Sequence, residues 1–248
     1  MQATLAIALA SLDQHSQRLA HIASSLAHAT TPGYKRGVPA SPPLVPAFAA
    51  TVDAFDAAQA AGGAALQVRL DTRAGTLAST GQRLDLALEG EGFFEIATAT
   101  GPAYTRQGDF HTDARGRLVT AQGDAVMGLG GEIVLSTRTP VIDAQGRVSE
   151  PDAQTPTAEP VGQLKIVHID DPRSLERAGN GLLQSRGTVA LEPQPRLRQG
   201  ALEKSNVDVL HEMTELMSTL RHFESVQKAV QSYDEAMGTA VRKLGELS

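Results

Sequence analysis

Along residues 209–244 apolar side chains recur at alternating steps of four and three. The stripe is Val209, Met213, Leu216, Leu220, Phe223, Val230, Met237, Val241 and Leu244, interrupted by Gln227 and Asp234. The start of the chain keeps the same rhythm at Leu5, Leu9, Leu12, Ser16, Leu19, Ala23 and Leu26. Such a period marks one face of a helix, and water cannot satisfy it, so each stripe needs an apolar partner of matching repeat. The pattern predicts a helix over 4–28 that stops at Thr30-Thr31-Pro32-Gly33. Pro disfavours helix in the residue before it, and Gly permits a left-handed turn. A second helix of about forty residues, roughly 60 Å at 1.5 Å per residue, is predicted after Ser205. Ser205 is read as its N-cap, with Asp208 at the capping-box spacing. Glu224 and Lys228 form an i,i+4 pair off the stripe.

Between the stripes the texture changes. Pro39, Pro42, Pro43 and Pro46 make a stiff extended connector, and the Ala-rich stretch 51–65 reads equally as helix or loop. From 70 to 198, short β-type runs at 84–88, 93–97, 117–120, 133–135 and 163–168 alternate with Gly, Asp and Asn turns. One echo is visible: Asp113-Ala-Arg-Gly116-Arg-Leu118 returns as Asp143-Ala-Gln-Gly146-Arg-Val148. Each copy reads as a hairpin turn in which Asp opens the turn and Gly takes positive φ. Neither has the density of carboxylates that a calcium loop needs. The expected fold class is α+β. The N- and C-terminal helices form a coiled-coil-like α domain, with a mainly antiparallel β domain inserted between them. The predicted division is an N-terminal helix in 1–36, an extended linker over 37–70, the β domain over 71–198 and the long C-terminal helix in 199–248.

Composition narrows the function classes. Net charge is −6, from 22 basic and 28 acidic residues, with no basic cluster, so nucleic acid and anionic membrane are poor partners. The chain has no Cys and no Trp, and aromatics are 4% of residues, which excludes disulfides and thiolate chemistry and argues against an aromatic-lined ligand cleft. No run approaches the length of a membrane span. The segment 3–12 has the apolarity of a secretory leader, but the first basic residue is Arg18, so no cleavable leader is expected.

Motifs for chemistry fail on context. His211-Glu212 begins like a zinc-protease helix, but position 215 is Glu. Ser225 and Lys228 have acylase-like spacing in mid-helix, without companion motifs. Gly90-Glu-Gly92 and Gly128-Leu-Gly130-Gly131 read as hairpin turns rather than a dinucleotide loop. His15, His21 and His28 share one side of the first helix without carboxylates at ligand spacing. The sequence therefore assigns no catalytic, cofactor-binding or metal-binding residue and no small-molecule substrate, and it reads as a non-enzyme.

Four motifs, in order, carry a resemblance. Ser24-Ser25-Leu26-Ala27-His28-Ala29-Thr30-Thr31-Pro32-Gly33-Tyr34-Lys35-Arg36 approaches a helix end of the type Asn-Asn-Leu-Ala-Asn followed by Thr-x-Gly-aromatic-Lys, with Ser24, Ser25 and His28 where Asn is usual. Gly75, Leu77, Thr80, Gly81 and Leu84-Asp85-Leu86-Ala87-Leu88 lead into Gly90, Gly92, Phe93 and Phe94. Tyr104-Thr105-Arg106, Gly108, Phe110, Asp113, Gly116 and Leu118-Val119 follow, and Gln199-Gly200, Leu202-Glu203 and Ser205-Asn206-Val207 close the series. Together they resemble the rod and hook family of the bacterial flagellum. The short 36–70 segment, Thr31-Pro32-Gly33 and Val161-Gly-x-Leu164-Lys165 are similar to proximal-rod members, with the distal-rod type as alternative.

The resemblance implies a structural subunit exported by the flagellum's own type III apparatus without leader cleavage. Such a subunit would stack helically with copies of itself and related rod proteins into a hollow, torque-bearing shaft across the periplasm. The stripe residues Leu5 to Leu26 and Val209 to Leu244 are the expected assembly interface, with Leu216, Leu220, Phe223, Val230 and Met237 facing the N-terminal leucines. A non-flagellar secreted scaffold or adhesive fibre is the alternative of another class.

Overall fold

A computed structural model describes residues 2–40, 67–137, 139–151 and 159–245. Most of the expected connector, including Pro42, Pro43, Pro46 and the stretch 51–65, lies outside them. Gly37–Ala40 and Gln67–Leu70 are strands at its two edges. The chain divides into two compact units: 28–36 with 69–207, and 1–27 with 37–68 and 208–248.

The first of these units is built from antiparallel ladders. Its largest sheet runs Leu175–Gly179, Leu182–Ser185, Gly101–Thr105, Phe93–Thr98, Ala125–Gly128, Leu118–Val119 and His111–Thr112. Ile166–Ile169 joins beside Phe93–Thr98, with Ile166 opposite Phe94, and also pairs with Val189–Leu191. Side chains alternate across a strand, so adjacent residues serve opposite faces. Phe94, Ile96 and Ile166 enter one apolar cluster with Leu86, Leu118 and Val148, whereas Phe93 and Val167 enter a second with Leu70, Tyr104 and Leu183. Phe94 meets Phe110 edge to face at 5.2 Å, a favoured ring geometry. The strand expected at 133–135 is instead an isolated bridge of Val134 to Arg117, and the paired residues are Gly131–Glu132. The expected run at 163–168 breaks into Pro160–Gln163 and Ile166–Ile169, because Leu164 turns to bridge Gly128.

The echoed sequences fold into two turns of one design. Asp113 Oδ1 accepts from the amides of Arg115 and Arg117, and Oδ2 from Arg117 Nε. Asp143 does the same with Gln145 and Arg147. Gly116 and Gly146 both sit at φ +78°, where a side chain would be strained. The carboxylates are thus spent on their own turns.

The second unit contains α1 (Gln2–Ala27) and α2 (Val209–Gly245). Its geometry corrects two expectations. The cap of α2 is Asp208 rather than Ser205: its carboxylate accepts from the amides of Leu210 and His211, while Ser205 stays outside the helix and accepts from Val207. Nor do the helices make a coiled-coil-like domain. Among the described residues the least exposed positions along α2 are Glu212, Glu215, Leu216, Thr219, Phe223, Val226 and Val230. The innermost two, Glu212 and Thr219, are polar, whereas a coiled-coil seam needs apolar knobs at those steps. The expected stripe is split. Leu216, Phe223 and Val230 belong to the covered side, but Val209, Met213 and Leu220 are 40%, 49% and 40% exposed. The described chain is therefore two helices and a large multi-sheet β unit.

Candidate assembly face and terminal-segment knot

The strand Ala201–Glu203 lies antiparallel to Leu77–Ser79 and buries alternate residues, Ala201 and Glu203. Alternation thus drives a carboxylate inward, where it must be paired and hydrogen-bonded. Lys35 Nζ donates to Glu203 Oε1 at 2.6 Å, the Gly75 amide donates to the same oxygen at 2.8 Å, and Arg106 Nη1 donates to Oε2 at 3.2 Å. Lys35 also donates to the Arg73 carbonyl and Arg106 to that of Gly90. The Arg106 guanidinium lies 5.3 Å from the centroid of the Phe93 ring. All three charged side chains are at most 4% exposed. Desolvation pulls both Lys35 and Arg106 below their ordinary pKa values, against the opposing pull of Glu203.

The N-terminal lead, residues 28–36, wraps this centre. Gly33, at φ +64°, donates its amide to the Glu203 carbonyl at 2.7 Å, and a Cβ there would fall 2.3 Å from the Arg106 carbonyl carbon. Only glycine meets both demands. Tyr34 stacks on His28 at 4.8 Å, and the Arg177 guanidinium lies 4.4 Å from its ring. Arg177 also donates to the Lys35 carbonyl. Asn206 closes the centre from the C-terminal lead: its Oδ1 accepts from the Arg36 amide at 2.6 Å, and its Nδ2 donates to the carbonyls of Asp71 and Arg73.

Several motif residues thus converge: Gly33, Tyr34, Lys35, Gly90, Arg106 and Asn206, with Phe93 beneath and Thr31 accepting from the Tyr34 amide. Others stay in the β fabric. Leu84 packs on the main cluster beside Phe94, and Gly108 accepts from the Leu86 amide. The buried Asp85 bridges Asp109, and Tyr104 and Gly92 are buried in strand and turn. Ser205 and Val207 lie in the C-terminal lead. The organising residue, Glu203, was not singled out from sequence, although a charge at an inward position of a short strand was a readable signal. Asp71, Arg73 and Arg177 gave none, being ordinary surface charges until folded.

On the helices, Leu12, Leu19 and Leu26 are half-buried, while Ile22 and Ser25 are the buried positions of α1 among the described side chains. The side chains of Leu5, Leu9, Met237, Val241 and Leu244 lie outside the described residues. Arg18 pairs with Glu215 at 2.5 Å, and the ring of His15 lies parallel to that of His222 at 6.1 Å. Burial, then the charges of His222 and Arg18, lower the His15 pKa. Another side of α2 is uncovered among the described residues: Leu210 is 77% and Met217 63% exposed, beside Met213 and Leu220. At 100° per residue this second stripe is centred roughly 90° around the helix from Leu216 and Phe223, and roughly 130° from Glu212 and Thr219. No helix among the described residues is long and apolar enough to cross a membrane.

Residues 87–150 match the family described as flagellar hook protein FlgE/F/G D1 domain, and residues 198–243 match flagellar basal body rod FlgEFG protein C-terminal. The flagellar basal-body rod protein FlgF of Salmonella typhimurium is 33% identical over 245 residues, 94% of each chain. FlgF of Escherichia coli is 30% identical over 251 residues, again 94% of each. FlgG of Bacillus subtilis is 38% identical over 171 residues, and that match spans 64% of each chain, less than two thirds of the relative's length. This chain belongs to the FlgE/F/G family of flagellar rod and hook proteins.

The two FlgE/F/G matches share out the knot between them. The hook-type segment supplies Gly90, Phe93 and Arg106, and the rod-type segment supplies Glu203, Asn206 and most of α2. The N-terminal lead that joins them lies outside both segments.

Proposed function

We propose that the chain is a structural subunit of the flagellar basal-body rod, of the proximal FlgF type. It polymerises helically with copies of itself and with related rod proteins into the hollow shaft that passes torque outward across the periplasm. It reaches that place through the flagellar export apparatus, without cleavage of a leader. The near-complete span of the FlgF relatives supports the proximal assignment. A distal, FlgG-like position is the second reading, favoured by the 38% identity to the B. subtilis protein.

The observation that carries the proposal is the bare stripe of α2. Leu210, Met213, Met217 and Leu220 form an apolar row that no other described residue covers. A surface row of this kind marks an interaction site. Contacts between unlike patches of successive subunits propagate into helical tubes rather than closing as dimers. Leu220→Asp should abolish rod assembly and motility while the variant still folds, because the site is 40% exposed in the free chain but desolvated in the shaft. Swimming and intact basal bodies in a strain carrying only this variant would refute the assignment. Complementation of strains lacking FlgF or FlgG separates the two positions.

A further inference from the structure

We infer that His15 and His222 form an acid-sensitive catch between α1 and α2. Two uncharged imidazoles let the helices lie together, and a proton on either ring loosens the contact. Both helices belong to one compact unit, so the catch is internal to it.

The geometry is that of a facing pair. One ring comes from each helix, the ring planes lie within 7° of each other, and the centroids are 6.1 Å apart. Among the described residues neither ring has a hydrogen bond, and no carboxylate stands within ion-pair distance of either. The charged neighbours come from both helices. Arg18 stands about one turn beyond His15 on α1, and Glu215 about two turns before His222 on α2. These two pair with each other at 2.5 Å, so the carboxylate of Glu215 is already taken. Asp13 on α1 is exposed and accepts from Gln17, and Arg221 and Glu224 on α2 are exposed to solvent.

A proton on His15 therefore meets a second ring and a guanidinium rather than an acid. The electrostatics of the site agree. Burial, then the charges of His222 and Arg18, hold the His15 pKa below its ordinary 6.5. A histidine lowered in the paired state takes its proton more readily once the helices part. Pairing is thus fully supported above about pH 6.5, and that support is lost as pH falls toward the lowered value. His222 also borders the groove along Leu210, Met213 and Met217, so a proton there charges the margin of the uncovered row as well.

Hydrogen exchange on the full chain, corrected for the intrinsic effect of pH on amide exchange, tests the catch. Protection of the α1 amides over 15–25 should fall at least about tenfold between about pH 7.5 and about pH 5, while Phe93–Thr98 keep theirs. His222→Gln should remove most of that fall, and His15→Gln should do the same from the other helix. His222→Lys, which carries a permanent charge on an exposed site, should show the low protection already at about pH 7.5. Salt at about 1 M should shrink the parent's fall, because it screens the repulsion. Equal α1 protection at both pH values in the parent, including none at either, would overturn the inference. So would a fall in both glutamine variants as steep as the parent's, since the sensor would then lie elsewhere.

Discussion

The β unit and the second helix treat their uncomfortable groups in opposite ways. The β unit hides a three-residue charge cluster at its centre and pairs Glu203 internally, through Lys35, Arg106 and the Gly75 amide, although Arg106 Nε is buried without a hydrogen-bond partner among the described residues. The helix leaves Leu210 and Met217 largely exposed and offers them nothing. Burying ions gains little net stability, but it is unforgiving of error, since removal of one partner strands the others. Exposing apolar residues costs the monomer little and leaves the free energy of burial to be realised on assembly. Among the described residues, one part of the molecule is therefore paired by its own chain, and the other offers an uncovered apolar row to the neighbour proposed above. In the proposed rod subunit, local chemistry divides the labour: the β unit sets shape and register, and the helix supplies adhesion.

The most severe way to break this comparison is at its centre. Glu203→Gln keeps the shape of the side chain but leaves Lys35 and Arg106 as buried, mutually repelling cations. The expected loss is about 3–5 kcal/mol of unfolding free energy, as for other buried pairs cut on one side. Denaturant titration of the purified full chain measures it. A loss below about 1 kcal/mol, in the range of exposed pairs, would mean that water reaches the cluster and that the centre is not finished by its own chain.

Acid should separate the regions next. Asp71 has its carboxyl held below the ordinary carboxylate range chiefly by the hydrogen bond from Arg73, which outweighs its partial burial. A carboxyl lowered in the folded state stabilises above its unfolded value near 3.8 and loses that contribution as pH falls through the lower, folded value. Stability of the β unit should therefore drop below about pH 4. Asp113 and Asp143 are also lowered, net of an opposing desolvation, by the bonds from their turns, so the slope has several contributors. Asp71→Asn isolates one: melting curves of variant and parent should converge as the solution is acidified. Parallel curves down to about pH 2 would show that Asp71 does not support this edge of the knot.

How much of this was readable beforehand follows from range. The two helices, the twin turns and the motif order all rest on neighbours within a few positions, and the repeating Asp-x-x-Gly-Arg stretch gave both turns directly. The knot does not, because Lys35 and Glu203 are 168 positions apart, and nothing in either segment announces a buried charge except the strand alternation around Glu203. The stripe of α2 misled for another reason. Steps of four and three fit two overlapping faces of one helix, and Val209, Met213 and Leu220 fell just beyond Leu216 and Phe223, past the edge of the covered face. Polar Glu212 and Thr219 occupy the inner row instead, which hydrophobicity alone would never nominate. The cap moved from Ser205 to Asp208 because Asn206 holds the preceding residues against 71 and 73, so the helix cannot begin earlier.

The smallest expected effect on folding is the sharpest test of the contrast. Met217→Ser removes an apolar side chain that is already 63% exposed, so unfolding free energy should shift by less than about 0.5 kcal/mol. The same change should weaken incorporation into rods, because the lost burial is realised only in the assembled state. Unfolding titration and a count of basal bodies read the two effects separately. A variant that destabilises the free chain by more than about 1 kcal/mol would show that Met217 is already covered at home. The bare face would then belong to the finished part of the molecule, and the division between a self-sufficient β unit and a helix awaiting its neighbour would fail at that residue.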